Sequence, residues 1–161
     1  MLTKLERDSI RDFRVATELP AGAGSSGDTK AWSGFTLRLL LEAARVLRGE
    51  RTRQSGNATL KRDGSPTVEA EQRVEVELRG HVARLAPDAA FIGEETGGAL
   101  PAGGLAVAVD PVDGTWAFVH GMGTGATSVT VLLVGEAIVA GVGNPSVGDG
   151  ASATLGGGAR L

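Results

Sequence analysis

Apolar residues recur at helical spacing early in the chain, where Phe35, Leu39, Ala43, Val46 and Leu47 form a stripe that Leu40 and Leu41 widen. The pattern predicts an amphipathic helix over 32–48, with Trp32 and Phe35 as core anchors and Gly49 as its stop. A second helix is expected over 67–85, on the stripe Val74, Leu78, Val82 and Leu85. The period then shortens. Phe91-Ile92-Gly93 reads as a short strand, 105–109 as a buried one, and 127–134 with 137–142 as a hairpin joined at Gly135-Glu136. A short helix is expected over 116–120. The remaining segments are read as a charged helix at 4–17, a flexible linker at 20–29, a polar stretch over 51–64 and a turn at Asn144-Pro145. The Gly-rich C-terminal stretch predicts no element. The order predicts an α/β (α+β) layered fold: two helices packed on a largely antiparallel sheet, with no internal repeat.

Composition narrows this picture only slightly. The 161 residues are 42% hydrophobic and 22% charged, which suits a single soluble domain over 32–161 preceded by a poorly defined segment, 1–31. Glycine, at 25 residues, is about twice its usual ~7% share. The net charge of −3 argues against a nucleic acid polymer as partner. The absence of cysteine excludes a disulfide framework, a zinc–thiolate site and a cysteine nucleophile. No secretory signal and no membrane-spanning run is present, so a cytoplasmic location without membrane association is expected.

Candidate chemistry concentrates at Asp110-Pro111-Val112-Asp113-Gly114-Thr115, where the buried strand ends. Asp110 and Asp113 are forced together around Pro111, and repelling carboxylates are commonly held by a hard cation such as Mg²⁺. Gly114 and Thr115 lead into the short helix, whose first N–H groups suit a phosphate. The competing reading is a capped turn in which Asp113 bonds backbone N–H groups. Glu94-Glu95, at the end of the preceding strand, is the natural companion of this pair, although Glu-Glu in a loop is commonplace. Glu69, Glu71, Glu75 and Glu77 fall early in the second helix, where its dipole favours negative charge, and most are read as a solvated face. His81 is read as a surface or capping residue, and His120 as a loop histidine. Gly22 and Gly27 have P-loop separation, but Asp28 stands where a lysine is required, so that motif is rejected. Gly121-Met122-Gly123-Thr124-Gly125 is read as a connection.

Three segments in this order, Lys61-Arg62-Asp63-Gly64-Ser65-Pro66, Phe91-Ile92-Gly93-Glu94-Glu95 and Asp110-Pro111-Val112-Asp113-Gly114-Thr115, together resemble the inositol monophosphatase family of Mg²⁺-dependent, Li⁺-sensitive phosphomonoesterases. Gly141-Val142-Gly143-Asn144-Pro145 is similar to the family's next strand end. The resemblance runs from Trp32 to the C-terminus and implies the N-terminal half of the sugar-phosphatase fold. It implies that Glu94, Asp110, Asp113 and the Val112 carbonyl bind Mg²⁺, one of two or three ions in the family. Gly114 and Thr115 would hold the phosphate of a small phosphorylated metabolite, while Thr115, Glu71 and Glu94 would serve catalysis. A homodimer is compatible with it.

Two departures bear on that expectation. Glu71 stands where family members carry a water-orienting Asp, and the extra methylene shifts the carboxylate by roughly an ångström, a displacement that elsewhere costs ~10²-fold. The family's later Trp-Asp segment has no counterpart, so the second-metal site is expected to be incomplete and an apolar face to be left uncovered. The readings carried forward are therefore a phosphatase of inositol monophosphate, histidinol phosphate or 3′-phosphoadenosine 5′-phosphate, or an inactive remnant that binds at most metal or a partner.

Overall fold

The computed structural model describes residues 28–51, 59–60, 66–67 and 69–161. The expected charged helix at 4–17, most of the 20–29 linker and the segment Lys61 to Ser65 lie outside the described residues.

Helix α1 spans Thr29–Arg51. It starts earlier than the apolar stripe because Asp28 caps it, accepting from the Ala31 amide at 3.0 Å. Gly49 does not stop it. A lone glycine costs a helix only about 1 kcal/mol, and Arg73 of the next helix binds Glu50 at 3.2 Å. Strands β1 (Thr59–Leu60) and β2 (Pro66–Thr67) form a short antiparallel pair, so the second helix, α2, begins at Glu69 rather than at Thr67 and runs to Leu85.

The main sheet follows in chain order: β3 (Ala90–Gly93), β4 (Leu105–Asp113), β5 (Ala126–Leu133), β6 (Glu136–Asn144), β7 (Asp149–Thr154) and β8 (Gly158–Arg160). Only β3 and β4 run parallel; every other pair is antiparallel. A short helix, α3 (Thr115–Val119), lies between β4 and β5. The hairpin turns on Val134-Gly135, one residue earlier than expected, with φ of 51° and 80°. The Gly-rich tail forms β7 and β8 instead of loop. Pairing of β7 to β6 and of β8 to β7 supplies their ladder bonds, and crowded backbone accounts for Gly150, whose Cβ would press on the Val142 carbonyl.

Helix α1 packs across β5, β6 and β7, and α2 lies beside it over β3 and β4. The shared core contains Trp32, Phe35, Leu39 and Leu47 of α1, Val74 and Leu78 of α2, and Val107, Val129, Val131 and Val139 of the sheet. Trp32 and Phe35 meet edge-to-face with ring centroids 5.4 Å apart. Among the described residues no helix is long and apolar enough to cross a membrane.

The register identifies the two faces. Gly141 faces α1, since a Cβ there would meet Thr36 and Leu40, and it pairs with Val129, which pairs with Val109. Side chains alternate along strands. Asp110, paired with Ser128 and through it with Val142, therefore projects from the face that α1 does not cover. This face carries Ala106, which is buried, Ala108, Ser128, Thr130, Leu132 and Ala140, which are half-buried, and Val142, which is exposed.

Candidate active site

In a regular strand Asp110 and Asp113, three residues apart, would point to opposite faces. They do not, because β4 carries a bulge. Asp110 pairs with Ser128 and Asp113 with Ala126, so three steps on β4 match two on β5. The extra residue restores the phase and places both carboxylates on one face. Pro111 suits a bulge, having no N–H for the ladder. Its carbonyl accepts from the buried Thr127 hydroxyl at 2.7 Å, and Asp110 Oδ1 accepts from the Val112 amide at 3.0 Å. Sequence reading gave Thr127 no role.

Glu94 reaches the same place by register. Gly93 is the parallel partner of Val109, so the next residue on each chain, Glu94 and Asp110, emerge side by side, and the Glu94 amide donates to the Val109 carbonyl at 3.2 Å. The Asp110 carboxyl is pushed up to about 7, first by burial, then by its hydrogen bond to Glu94 and the charges of Glu94 and Asp113. The Val112 amide pulls the other way. Desolvation and crowding of like charges both favour a proton on Asp110.

Beyond the bulge, Gly114 adopts φ 83°, a left-handed conformation suited to glycine, and starts α3. The Thr115 hydroxyl then donates to Glu71 Oε1 at 2.6 Å and approaches the Val112 carbonyl at 3.2 Å. The longer Glu71 side chain, only 2% exposed, thus makes its contact across 44 positions of sequence. Asp113 and Glu94 are exposed, as expected of groups open to a ligand.

The solvated-face reading of the α2 glutamates fails for two of them. Glu69 and Glu77 are exposed, whereas Glu71 and Glu75 are buried, Glu75 at 0%. Glu75 accepts from the Glu95 amide at 2.6 Å and the Thr96 amide at 2.8 Å. A signal was present in the sequence: Glu71 and Glu75 fall at helical spacing on the edge of the stripe formed by Val74, Leu78 and Val82, a place for buried groups. His120 is exposed, stacks on Trp116 and donates to the Trp116 carbonyl at 2.8 Å. His81 is bound to Arg84 at 2.9 Å, away from these strand ends. Asn144, at the end of β6, donates to the Gly123 carbonyl at 2.8 Å and so anchors the 121–125 connection beside α3.

The donor set of Glu94, Asp110, Asp113 and the Val112 carbonyl consists entirely of hard oxygens, the chemistry that suits Mg²⁺. The raised Asp110 carboxyl is what a cation would relieve, so these residues fit the ion. Among the described residues, no three His, Asp or Glu side chains stand close enough to form a ready-made cation cage. An open cleft of about 570 Å³ between α1 and α2, lined by Arg45, Glu50, Arg73 and Glu77, includes none of these residues.

Residues 29–161 match the inositol monophosphatase family. The histidinol-phosphatase of Chlorobaculum parvum is 28% identical over 109 residues, covering 68% of this chain and 42% of that protein. The histidinol-phosphatase of Mycobacterium tuberculosis is 34% identical over 87 residues, 54% of this chain and 34% of that protein. The solved structure of a Thermotoga maritima IMPase superposes with a TM-score of 0.72 at 24% identity, covering 78% of this chain and 49% of that one. In each case the match spans less than half of the relative. The six-stranded sheet, the two helices on one face and the match over residues 29–161 lead to one conclusion: this chain belongs to the inositol monophosphatase family.

Proposed function

We propose that this chain carries the metal- and phosphate-binding portion of a Mg²⁺-dependent phosphomonoesterase acting on small phosphorylated metabolites. Histidinol phosphate leads the substrate candidates, ahead of inositol monophosphate and 3′-phosphoadenosine 5′-phosphate, because the curated relatives are both histidinol-phosphatases. The observation that carries the reading is the Thr115–Glu71 hydrogen bond beside the convergent Glu94 and Asp110.

Each residue has a separable task. Glu94, Asp110, Asp113 and the Val112 carbonyl would hold Mg²⁺. When bound, Mg²⁺ supplies positive charge that neutralises the phosphate oxygens and acidifies the attacking water. Glu71 takes the Thr115 hydroxyl proton into its hydrogen bond, which leaves lone pairs on Oγ1 to accept from a water and orient it. The Gly114 and Thr115 amides, at the start of α3, would receive the phosphate. Burial keeps Glu71 in one position and limits competing water there.

The test is phosphate release from the three esters with and without Mg²⁺, beside Asp110→Asn. Mg²⁺-dependent release, inhibited by Li⁺ and lost in Asp110→Asn, is the expected result. Cation binding without turnover in a folded sample would assign the chain the alternative role of a metal-binding, inactive family member.

A further inference from the structure

The turn that carries Glu94 is built around a carboxylate that none of the proposed chemistry uses. Gly93 and Gly97 exchange backbone hydrogen bonds, 3.1 Å from the Gly93 amide and 2.9 Å from the Gly97 amide, which closes the five-residue turn on itself. Inside it sits the Glu75 side chain, fully buried, with Oε1 on the Glu95 amide and Oε2 on the Thr96 amide. Gly93 makes room for it, since any Cβ there would overlap Glu75 Oε2. One helical turn further along α2, Arg79 donates to the Thr96 hydroxyl at 2.6 Å and lies over the Phe91 ring at 4.4 Å. Successive backbone N–H groups in such a turn make a concavity suited to an anion, and here the anion is the protein's own.

We propose that Glu75 is a positioning residue for the metal ligand Glu94. The inference rests on the proposed function and adds a residue to it. The Glu94 amide is fixed to the Val109 carbonyl, and the following peptide, through the Glu95 amide, is fixed to Glu75. With the peptides on both sides of its Cα held, Glu94 has its side-chain direction set toward Asp110 before any cation arrives. Outer partners that orient a ligand in this way typically govern 10–100-fold in metal affinity. Glutamine cannot replace Glu75, because one of its two terminal groups is an N–H₂ donor that would face a backbone N–H.

The experiment is Mn²⁺ titration by calorimetry of the parent chain, Glu75→Gln and Val82→Ala, with thermal unfolding followed alongside. Val82, 1% exposed on the same helix, serves as a core control away from the turn. Glu75→Gln should weaken Mn²⁺ binding by about 10–100-fold, while Val82→Ala loses stability and keeps its affinity. Amide exchange on the parent chain gives a reading that needs no variant: Glu95 and Thr96, although in a loop, should exchange slowly. Parent affinity retained in Glu75→Gln, equal losses in Val82→Ala, or unprotected Glu95 and Thr96 amides would each overturn the role of Glu75 alone. A parent chain that binds no Mn²⁺ would overturn the metal site and this assignment with it.

Discussion

Glu71→Asp introduces the side chain that the family resemblance implies at this position, yet here it should be damaging. Removing one methylene withdraws the carboxylate by roughly 1.3 Å. The Thr115 contact of 2.6 Å would open to about 3.9 Å, outside hydrogen-bonding range. A lost hydrogen bond that leaves a buried polar group unpaired costs ~1–3 kcal/mol, and a methylene removed from a site with 2% exposure adds ~1 kcal/mol. The expected destabilisation is therefore about 2–4 kcal/mol, with turnover falling ~10²-fold as the oriented water loses its place. Urea unfolding followed by tryptophan fluorescence is a suitable assay, because Trp32 is buried at 1% exposure and reports on the core. Thr115→Val removes the same bond from the other side. The double variant should accordingly cost less than the sum of the singles. A Glu71→Asp chain within about 0.5 kcal/mol of the parent, or strictly additive singles, would refute the coupling.

Three other outcomes are expected. In EDTA, the Asp110 carboxyl, raised from 3.8 to about 7, should draw stability away as pH climbs from about 4 to 7, because the folded state holds that proton more tightly than the unfolded chain. Full burial would make such a shift worth ~4 kcal/mol, and partial exposure reduces it to roughly 1–2 kcal/mol. Asp110→Asn, which mimics the protonated acid, should remove this component when urea unfolding at pH 5 and pH 8 is compared. Val134→Asn should raise stability by about 0.5–1 kcal/mol in the same assay, because Val134 is 67% exposed and held at φ 51°, where a β-branched residue is strained and asparagine is at ease. Asn144→Ala removes the bond to the Gly123 carbonyl and the turn bonds to the Ser146 and Val147 amides. It should cost ~1–2 kcal/mol and speed amide exchange through 121–125.

Periodicity made the helices, the hairpin and the buried strand legible, because their signals are local. The helix stripes fix which side of α1 and α2 meets the sheet, and Trp32 and Phe35 stand in the core as expected. What stayed hidden depends on pairing between distant segments. Nothing in the order of residues announces the bulge between Asp110 and Asp113, since it arises from the match to β5. The tail from Gly148 to Gly158 looks like loop until β6 offers it a partner. Glu75 leaves the solvated face because it sits on the edge of the apolar stripe, and the turn after Gly93 supplies the two amides that satisfy it. Two short motifs and the acidic start of α2 supplied the candidate residues, while the register and the bulge that bring Glu94, Asp110 and Asp113 to one place did not show in them.

The parallel β3–β4 pair also sets which length changes the chain can tolerate. Glu94 and Asp110 adjoin because Gly93 aligns with Val109, and that alignment does not depend on how far the chain travels in between. The loop between Gly97 and Leu105 can therefore gain or lose residues at a closure cost that grows only logarithmically, about 0.6 kcal/mol per doubling. A single residue inserted within β4 is another matter. With a period of two it would turn Asp110 towards the helix layer and bury a carboxylate among valines, while leaving β3 and Glu94 in place. The connections can therefore vary in length at little cost, whereas the nine-residue β4 cannot.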